Sequence, residues 1–165
     1  MDLGSGGGVP VIPLALARKD VAWTCVDSVG KRAAVLREFV DALNLRNVRV
    51  ETARAEQLGR DPGHRERYAL ATARACARLP ILVEWALPLV AVGGELLAWK
   101  GPLTEADDEV RRGRVAASQL GAGPLRIVAS QPALGGHRFV VVPKERRTPV
   151  MFPRSTAKIV GHPLG

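Results

Sequence analysis

Asp2-Leu3-Gly4-Ser5-Gly6-Gly7-Gly8, the run DLGSGGG at residues 2–8, places glycine at every second position after an acid and leads into a helix-like segment beginning around Pro10. Glycine lets backbone approach a ligand with no Cβ in the way. The spacing excludes two common nucleotide loops. A GxGxxG fingerprint starting at Gly4 needs glycine where Val9 stands, and one starting at Gly6 needs it where Val11 stands. GxxxxGK[ST] is absent from the chain, so a P-loop has no support. Among doubly wound folds this leaves a loop that cradles a nucleoside without its pyrophosphate, and S-adenosylmethionine is such a ligand. The same glycines also read as a flexible connector.

Downstream, Ala22 to Val26 reads as a short buried strand ending at an acid, Asp27, where a carboxylate can accept both hydroxyls of a ribose. A turn residue after a strand is the plainer reading of Asp27. Val35, Leu36, Phe39, Val40 and Leu43 fall at helical spacing, and that helix ends near Asn44. Val48 to Thr52 and Tyr68 to Thr72 read as strands, and Pro80 to Val90 as a helical run. A turn is expected at Gly93-Gly94, then a strand from Glu95 to Lys100. Thr104-Glu105-Ala106-Asp107 has the form of a capping box opening a charged helix. Leu125 to Ala129 and Arg138 to Val142, joined through Gly135-Gly136, read as an antiparallel hairpin on the sheet edge. Strands alternating with helices predict an α/β fold with a mainly parallel sheet. The most linker-like stretch is Leu58 to Arg67.

The chain has 165 residues, enough for one domain of this kind, and 47% of them are apolar against 24% charged. Lysine plus arginine number 24 and acids 16, a net charge of +8 that suits a polyanionic partner. Aromatic residues are only 4%, so base stacking is not expected to dominate contact with nucleic acid. Cys25 and Cys76 stand apart with no CxxC, and His64, His137 and His162 are single, which supports no metal site. Reduced packing thiols suit the cytoplasm. Val9 to Ala17 lacks a basic lead and a cleavage site, and Leu79 to Trp99 is broken by Glu84, Pro88, Gly93, Gly94 and Glu95, so no signal peptide or membrane span is expected.

Five blocks in order carry a resemblance: DLGSGGGVPVIPLALAR, VDSVGKRAAVLREF, RAEQL, TARACARLPILVEWALPLVAVGGELLAWKG, and HRFVVVPK with TPVMFPR. Together they resemble the bacterial ribosomal RNA small subunit methyltransferase G family, also called glucose-inhibited division protein B. The resemblance implies a class I Rossmann-like fold using S-adenosylmethionine to methylate guanine N7 in 16S ribosomal RNA. It implies cofactor contacts at Gly4 and Val9, at Ala55 and Glu56, and at Arg74. Gly6 falls in the same loop, and Asp27 matches the ribose-binding acid of the wider class. Glu56 also reads as a helix-start carboxylate and Arg74 as a surface arginine. The implied partner is 16S ribosomal RNA or the small ribosomal subunit, met by a monomer in the cytoplasm.

N7 of guanine carries an exposed lone pair, so its methylation needs no general base and no catalytic residue is singled out. Lys144, Arg146 and Arg147 are the expected phosphate contacts, with Lys31, Arg32, Arg78, Arg154 and Lys158 as further candidates. Other class I methyltransferases with small-molecule or protein acceptors, and an inactive RNA-binding remnant, stay open on the residues alone. Only Met1 to Leu3 precede Gly4, so residues 1–165 are expected to form a single methyltransferase domain, truncated at its N-terminus, with its first strand largely missing. A chain so built is expected to be unstable or deficient in cofactor binding.

Overall fold

A strand apolar toward both of its faces has to be covered on both, and β2 (Trp23–Asp27) is buried at all five residues. It lies inside a seven-stranded sheet of order β3-β2-β1-β4-β5-β7-β6 in a computed structural model that describes residues 1–131 and 135–165. β3 (Val48–Thr52) forms one edge, and β1 (Asp2–Leu3), β4 (Tyr68–Arg74) and β5 (Val90–Lys100) continue the sheet in parallel. β7 (Arg138–Pro143) runs antiparallel to β5, and β6 (Arg126–Ala129) antiparallel to β7 closes the other edge. This is the mainly parallel α/β sheet with a C-terminal antiparallel pair that the element order predicts. The strand ahead of the glycine loop spans two residues, and both pair with Cys25 and Val26 on one side and Thr72 and Ala73 on the other.

Alternate residues of β2 enter two cores. Trp23 and Cys25 meet Val11, Ile12 and Ala15 of α1 (Val11–Ala17) and Leu36 of α2 (Gly30–Ala42). Val26 joins the larger core on the opposite face, with Leu96 and Ala98 of β5, α4 (Leu79–Ala86) and α5 (Asp108–Gln119). Burial of each large aliphatic there, Leu79, Leu82 and Leu87 among them, contributes roughly 1.5–3 kcal/mol. The two helices touch closely at Gly113, where a Cβ would lie 2.8 Å from that of Leu79. Two short helices, α3 (Ala55–Leu58) and α6 (Thr156–Gly161), complete the elements. Among the described residues no helix is long and apolar enough to cross a membrane.

Three local expectations are corrected. Gly93-Gly94 is no turn between elements: β5 runs through it with a register shift, from Tyr68 opposite Val90 to Leu70 opposite Glu95. The backbones are so close there that a Cβ on Gly94 would fall 2.5 Å from the Ala69 carbonyl oxygen. The Thr104 box does not cap α5. Asp107 instead accepts hydrogen bonds from the Thr104 amide and hydroxyl, closing a turn ahead of a helix that begins at Asp108. The stretch from Leu58 to Arg67 is latched rather than loose, because Arg65 donates to the carbonyls of Gly59, Phe152 and Thr148 at 2.7–2.8 Å. Glu66 accepts from the Thr148 amide at 2.8 Å. A composition of Gly, Pro and charge cannot distinguish a linker from a segment whose charged side chains are satisfied by distant backbone.

Candidate functional site

The chain runs outward from β1 through β2 to β3, then crosses back to β4 and outward again, so the strand order reverses between β1 and β4. Ligands of open α/β sheets bind outside the carboxyl ends of the strands at such a reversal. A cleft of about 230 Å³ opens there, walled by Gly4 after β1, Asp27 at the end of β2, Ala55 and Glu56 after β3, and Cys76 after β4. Gly4 has φ +67°, and a Cβ on it would stand 2.9 Å from Cys76 Sγ. The floor of the cleft therefore admits no side chain at this position.

Asp27 is nearly buried, and each carboxylate oxygen already holds a backbone donor: Oδ2 accepts from the Gly6 amide and Oδ1 from the Val29 amide, both at 2.9 Å. The loop and the acid brace one another, and each oxygen keeps a lone pair for a second donor. Glu56 sits in the first turn of α3, buried, with Oε1 accepting a short hydrogen bond from the Thr156 hydroxyl. Trp85 of α4 reaches the same wall, and its Nε1 is buried without a hydrogen-bond partner. Nothing in the sequence pattern marks Trp85; in a helical run it reads as one more apolar residue. A Cβ-free floor, a braced carboxylate and an unpaired donor suit a nucleoside-bearing ligand with ribose hydroxyls and ring acceptors.

Not every expected residue converges here. Gly6 contributes its amide to Asp27 and lines a shallow recess with Lys31 and Arg32, the latter shared with the cleft. Val9 faces away, into an apolar groove of about 340 Å³ between Pro13 and Leu14 of α1 and Leu97, Trp99 and Phe139 of the sheet. Arg74 ends β4 but turns its side chain to a neighbouring cleft, with its guanidinium carbon 5.8 Å from the centroid of the Trp99 ring. Lys144 is not available to RNA phosphate. It is 1% exposed, and Nζ donates to the Leu87 carbonyl at 2.5 Å and to the Thr148 hydroxyl, with Glu66 at 3.6 Å. Burial lowers its ammonium to a pKa of about 8 against the attraction of Glu66. Arg146 and Arg147 are exposed, but they follow β7, which runs from Arg138 opposite Lys100 at the carboxyl end of β5 back to Pro143 opposite Glu95, and so away from the cleft. An antiparallel strand carries a C-terminal basic run away from the carboxyl ends of its parallel neighbours. Arg154 is engaged by Glu84 through its amide and guanidinium.

The neighbouring cleft, about 520 Å³, shares Ala75 with the first. Trp99 and Phe139 wall it with ring centroids 5.3 Å apart and planes at 48°. His137 Nδ1 lies 3.1 Å from the Lys100 carbonyl oxygen, while Lys100 Nζ is held by the Ala77 carbonyl at 2.7 Å and Glu109 at 2.5 Å. Trp99 stands near the carboxyl end of β5, and it is the pairing of β5 with β4 that brings it to this cleft. Burial, reinforced by Asp2, raises the thiols of Cys25 to about 12 and Cys76 to about 11, so neither is a thiolate nucleophile near neutral pH. Among the described residues no cluster of His, Cys, Asp or Glu has the makings of a metal site.

Solved structures share this architecture at low sequence identity. An S-adenosylmethionine-dependent methyltransferase in its apo form superposes with a TM-score of 0.66 at 20% identity, covering 88% of this chain and 50% of that one. A geranyl diphosphate C-methyltransferase from Streptomyces coelicolor, in complex with Mg²⁺, geranyl diphosphate and S-adenosyl-L-homocysteine, gives 0.62 at 14% identity, covering 86% and 69%. The fold is that of the class I methyltransferases. Sequence relatives are nearer. Proteins named ribosomal RNA small subunit methyltransferase G match at 44% identity in Roseiflexus castenholzii, over 99% of this chain and 70% of that protein, and at 46% in Deinococcus deserti, over 93% and 63%. The Deinococcus radiodurans protein of the same name is 40% identical over 99% of this chain, which spans 65% of its length. The model of the rRNA small subunit methyltransferase G family matches residues 1–133. With the glycine loop, the acid of β2 and the RAE block brought to one cleft on this sheet, the chain belongs to the ribosomal RNA small subunit methyltransferase G family.

Proposed function

We propose that the first cleft binds S-adenosylmethionine and that the chain directs its methyl group to N7 of a guanine in 16S ribosomal RNA. Gly4, Asp27 and Glu56 come from three separate sequence blocks and meet in one cleft at the strand-order reversal; this convergence carries the reading. Gly4 leaves room for the ligand against the backbone, and Asp27 offers its spare lone pairs to the ribose hydroxyls. Ala55, Glu56 and the Trp85 N–H surround the base. Gly6 acts through its hydrogen bond to Asp27. Val9 and Arg74, turned elsewhere, have no direct part in this cleft.

Bound S-adenosylmethionine supplies a methyl group on a positively charged sulfur. The chain's task is to hold guanine N7 in line with that methyl, and orientation of this kind is worth up to roughly 7–11 kcal/mol. No residue has to remove a proton, because the N7 lone pair is free to attack the methyl carbon. The substrate is the small ribosomal subunit or its RNA in the cytoplasm, and the basic residues rimming the clefts, Lys31, Arg32, Arg54 and Arg74, are placed to meet phosphates.

The test is equilibrium binding of S-adenosylhomocysteine followed by transfer of labelled methyl to small subunits and to free 16S RNA. Binding together with label at a guanine N7 is expected. Gly4→Val should abolish both, since its side chain would enter Cys76 and the backbone lies at positive φ. Label on protein or small molecules alone, or full activity of Gly4→Val, overturns the assignment.

A further inference from the structure

We propose that Trp99 is the platform on which the target guanine stacks, and that its π face stabilises the positive charge the purine gains on methylation. This rests on the reading of the first cleft as the methyl donor's site. The second cleft meets the first at Ala75, so a base lying in it is presented edge-on to whatever the first cleft holds. Trp99 and Phe139 form its apolar wall, at 5.3 Å between ring centroids. The aromatic face is not bare: the Arg74 guanidinium, a planar cation, stands 5.8 Å from the Trp99 centroid. The Arg74 guanidinium makes no ion pair or hydrogen bond among the described residues, and the indole of Trp99 is the group it faces.

A planar cation on that face resembles the reaction product. As the N7 lone pair forms its bond to the methyl carbon, the bond from sulfur to that carbon breaks, and the positive charge passes from sulfur to the purine ring. No proton moves. A neutral guanine enters and a cationic purine leaves, so an indole quadrupole attracts the transition state and product more than the ground state. Lys100, the other cation lining this cleft, is paired with Glu109 at 2.5 Å and does not oppose this charge. Arg74, displaced by the entering base, becomes available to the phosphates of the same RNA segment. The low aromatic content of the chain is then no obstacle: one placed indole is enough for one flipped base.

The experiment uses the full chain saturated with S-adenosylhomocysteine and follows binding of 7-methylguanosine 5′-monophosphate and guanosine 5′-monophosphate. The unaltered protein is expected to prefer the methylated, cationic base by about tenfold, as a desolvated cation–π contact allows. Trp99→Leu should bind both equally, and Trp99→Phe, which keeps a ring and the packing with Phe139, should retain part of the preference. In methyl transfer, Trp99→Leu should lower kcat about tenfold to thirtyfold with S-adenosylhomocysteine affinity unchanged, and Trp99→Phe should recover most of it. Equal affinity for the two nucleotides in the unaltered protein, or an intact preference in Trp99→Leu, overturns the platform while leaving the cofactor cleft standing. Failure of the unaltered chain to bind S-adenosylhomocysteine overturns both.

Discussion

The two poles of the sheet use the same charged residue types for opposite ends. At the carboxyl pole Asp27 and Arg74 line clefts, with lone pairs or a whole cation left over for a ligand. At the other pole Lys144, Glu66, Thr148 and Arg65 are closed on one another and on backbone carbonyls, and little capacity remains. The contrast shows that a basic run near the chain end is no measure of a nucleic-acid footprint. What matters is whether the side chain's hydrogen-bonding capacity is already spent inside the fold.

That contrast is breakable by substitution. The largest effect is expected from Lys144→Ala, which takes a buried donor from the Leu87 carbonyl and the Thr148 hydroxyl and the buried cation from beside Glu66; denaturant titration should show a loss of about 3 kcal/mol. S-adenosylhomocysteine affinity of the folded fraction should stay unchanged. A drop in affinity with little loss of stability would reverse the roles assigned to the poles. Asp27→Ala should do the reverse, weakening S-adenosylhomocysteine by about 2 kcal/mol, or roughly thirtyfold, through the lost carboxylate. Isothermal calorimetry checks this value.

A smaller effect is expected with pH. The folded Lys144 ammonium titrates at about 8 and the unfolded one at 10.5, so above pH 8 the unfolded chain holds more protons at this residue and stability rises with pH. The Lys144 contribution grows from pH 8 towards 10.5 and amounts to about 1 kcal/mol by pH 9. Above pH 9 the unfolded thiols ionise, while burial holds those of Cys25 and Cys76 protonated to about 12 and 11, and stability falls. Lys144→Met, compared with the unaltered protein by denaturant midpoint at pH 7, 8 and 9, should remove the rise; a rise of equal size in the variant would assign it to another group. The smallest effect is expected from Arg147→Ala, whose side chain is 89% exposed beside Glu66 at 4.0 Å. Its stability should change by less than about 0.5 kcal/mol and methyl transfer to ribosomal subunits should be unaffected. A clear loss of transfer would put RNA at the far pole after all.

Elements with a strong local period were legible. Val48 to Thr52 is strand throughout, and the apolar spacing from Val35 to Leu43 falls within or just beyond α2. The expected positions of Gly4, Asp27, Ala55 and Glu56 share a cleft because each follows a parallel strand, and strand ends are readable from a run of apolar residues stopping at a polar one. Features depending on two distant segments were not legible. Gly94 lies inside a strand because the Ala69 backbone approaches it. Arg65 is fixed because Gly59, Thr148 and Phe152 turn their carbonyls to it. The indole of Trp85 and the face of Trp99 became site walls only when helix α4 and strand β5 were set beside the loop.

Residue order alone set the alternation of strands and helices, the Cβ-free loop at Gly4 and the acid that ends β2. These depend on residue type and local spacing, which short-range sterics and burial periodicity translate directly into backbone. Tertiary structure alone decided which charges face a ligand and which are consumed within the fold. The reason is that hydrogen-bonding capacity is settled by partners contributed from far along the chain: Lys144 meets the carbonyl of Leu87, and Arg74 meets the ring of Trp99.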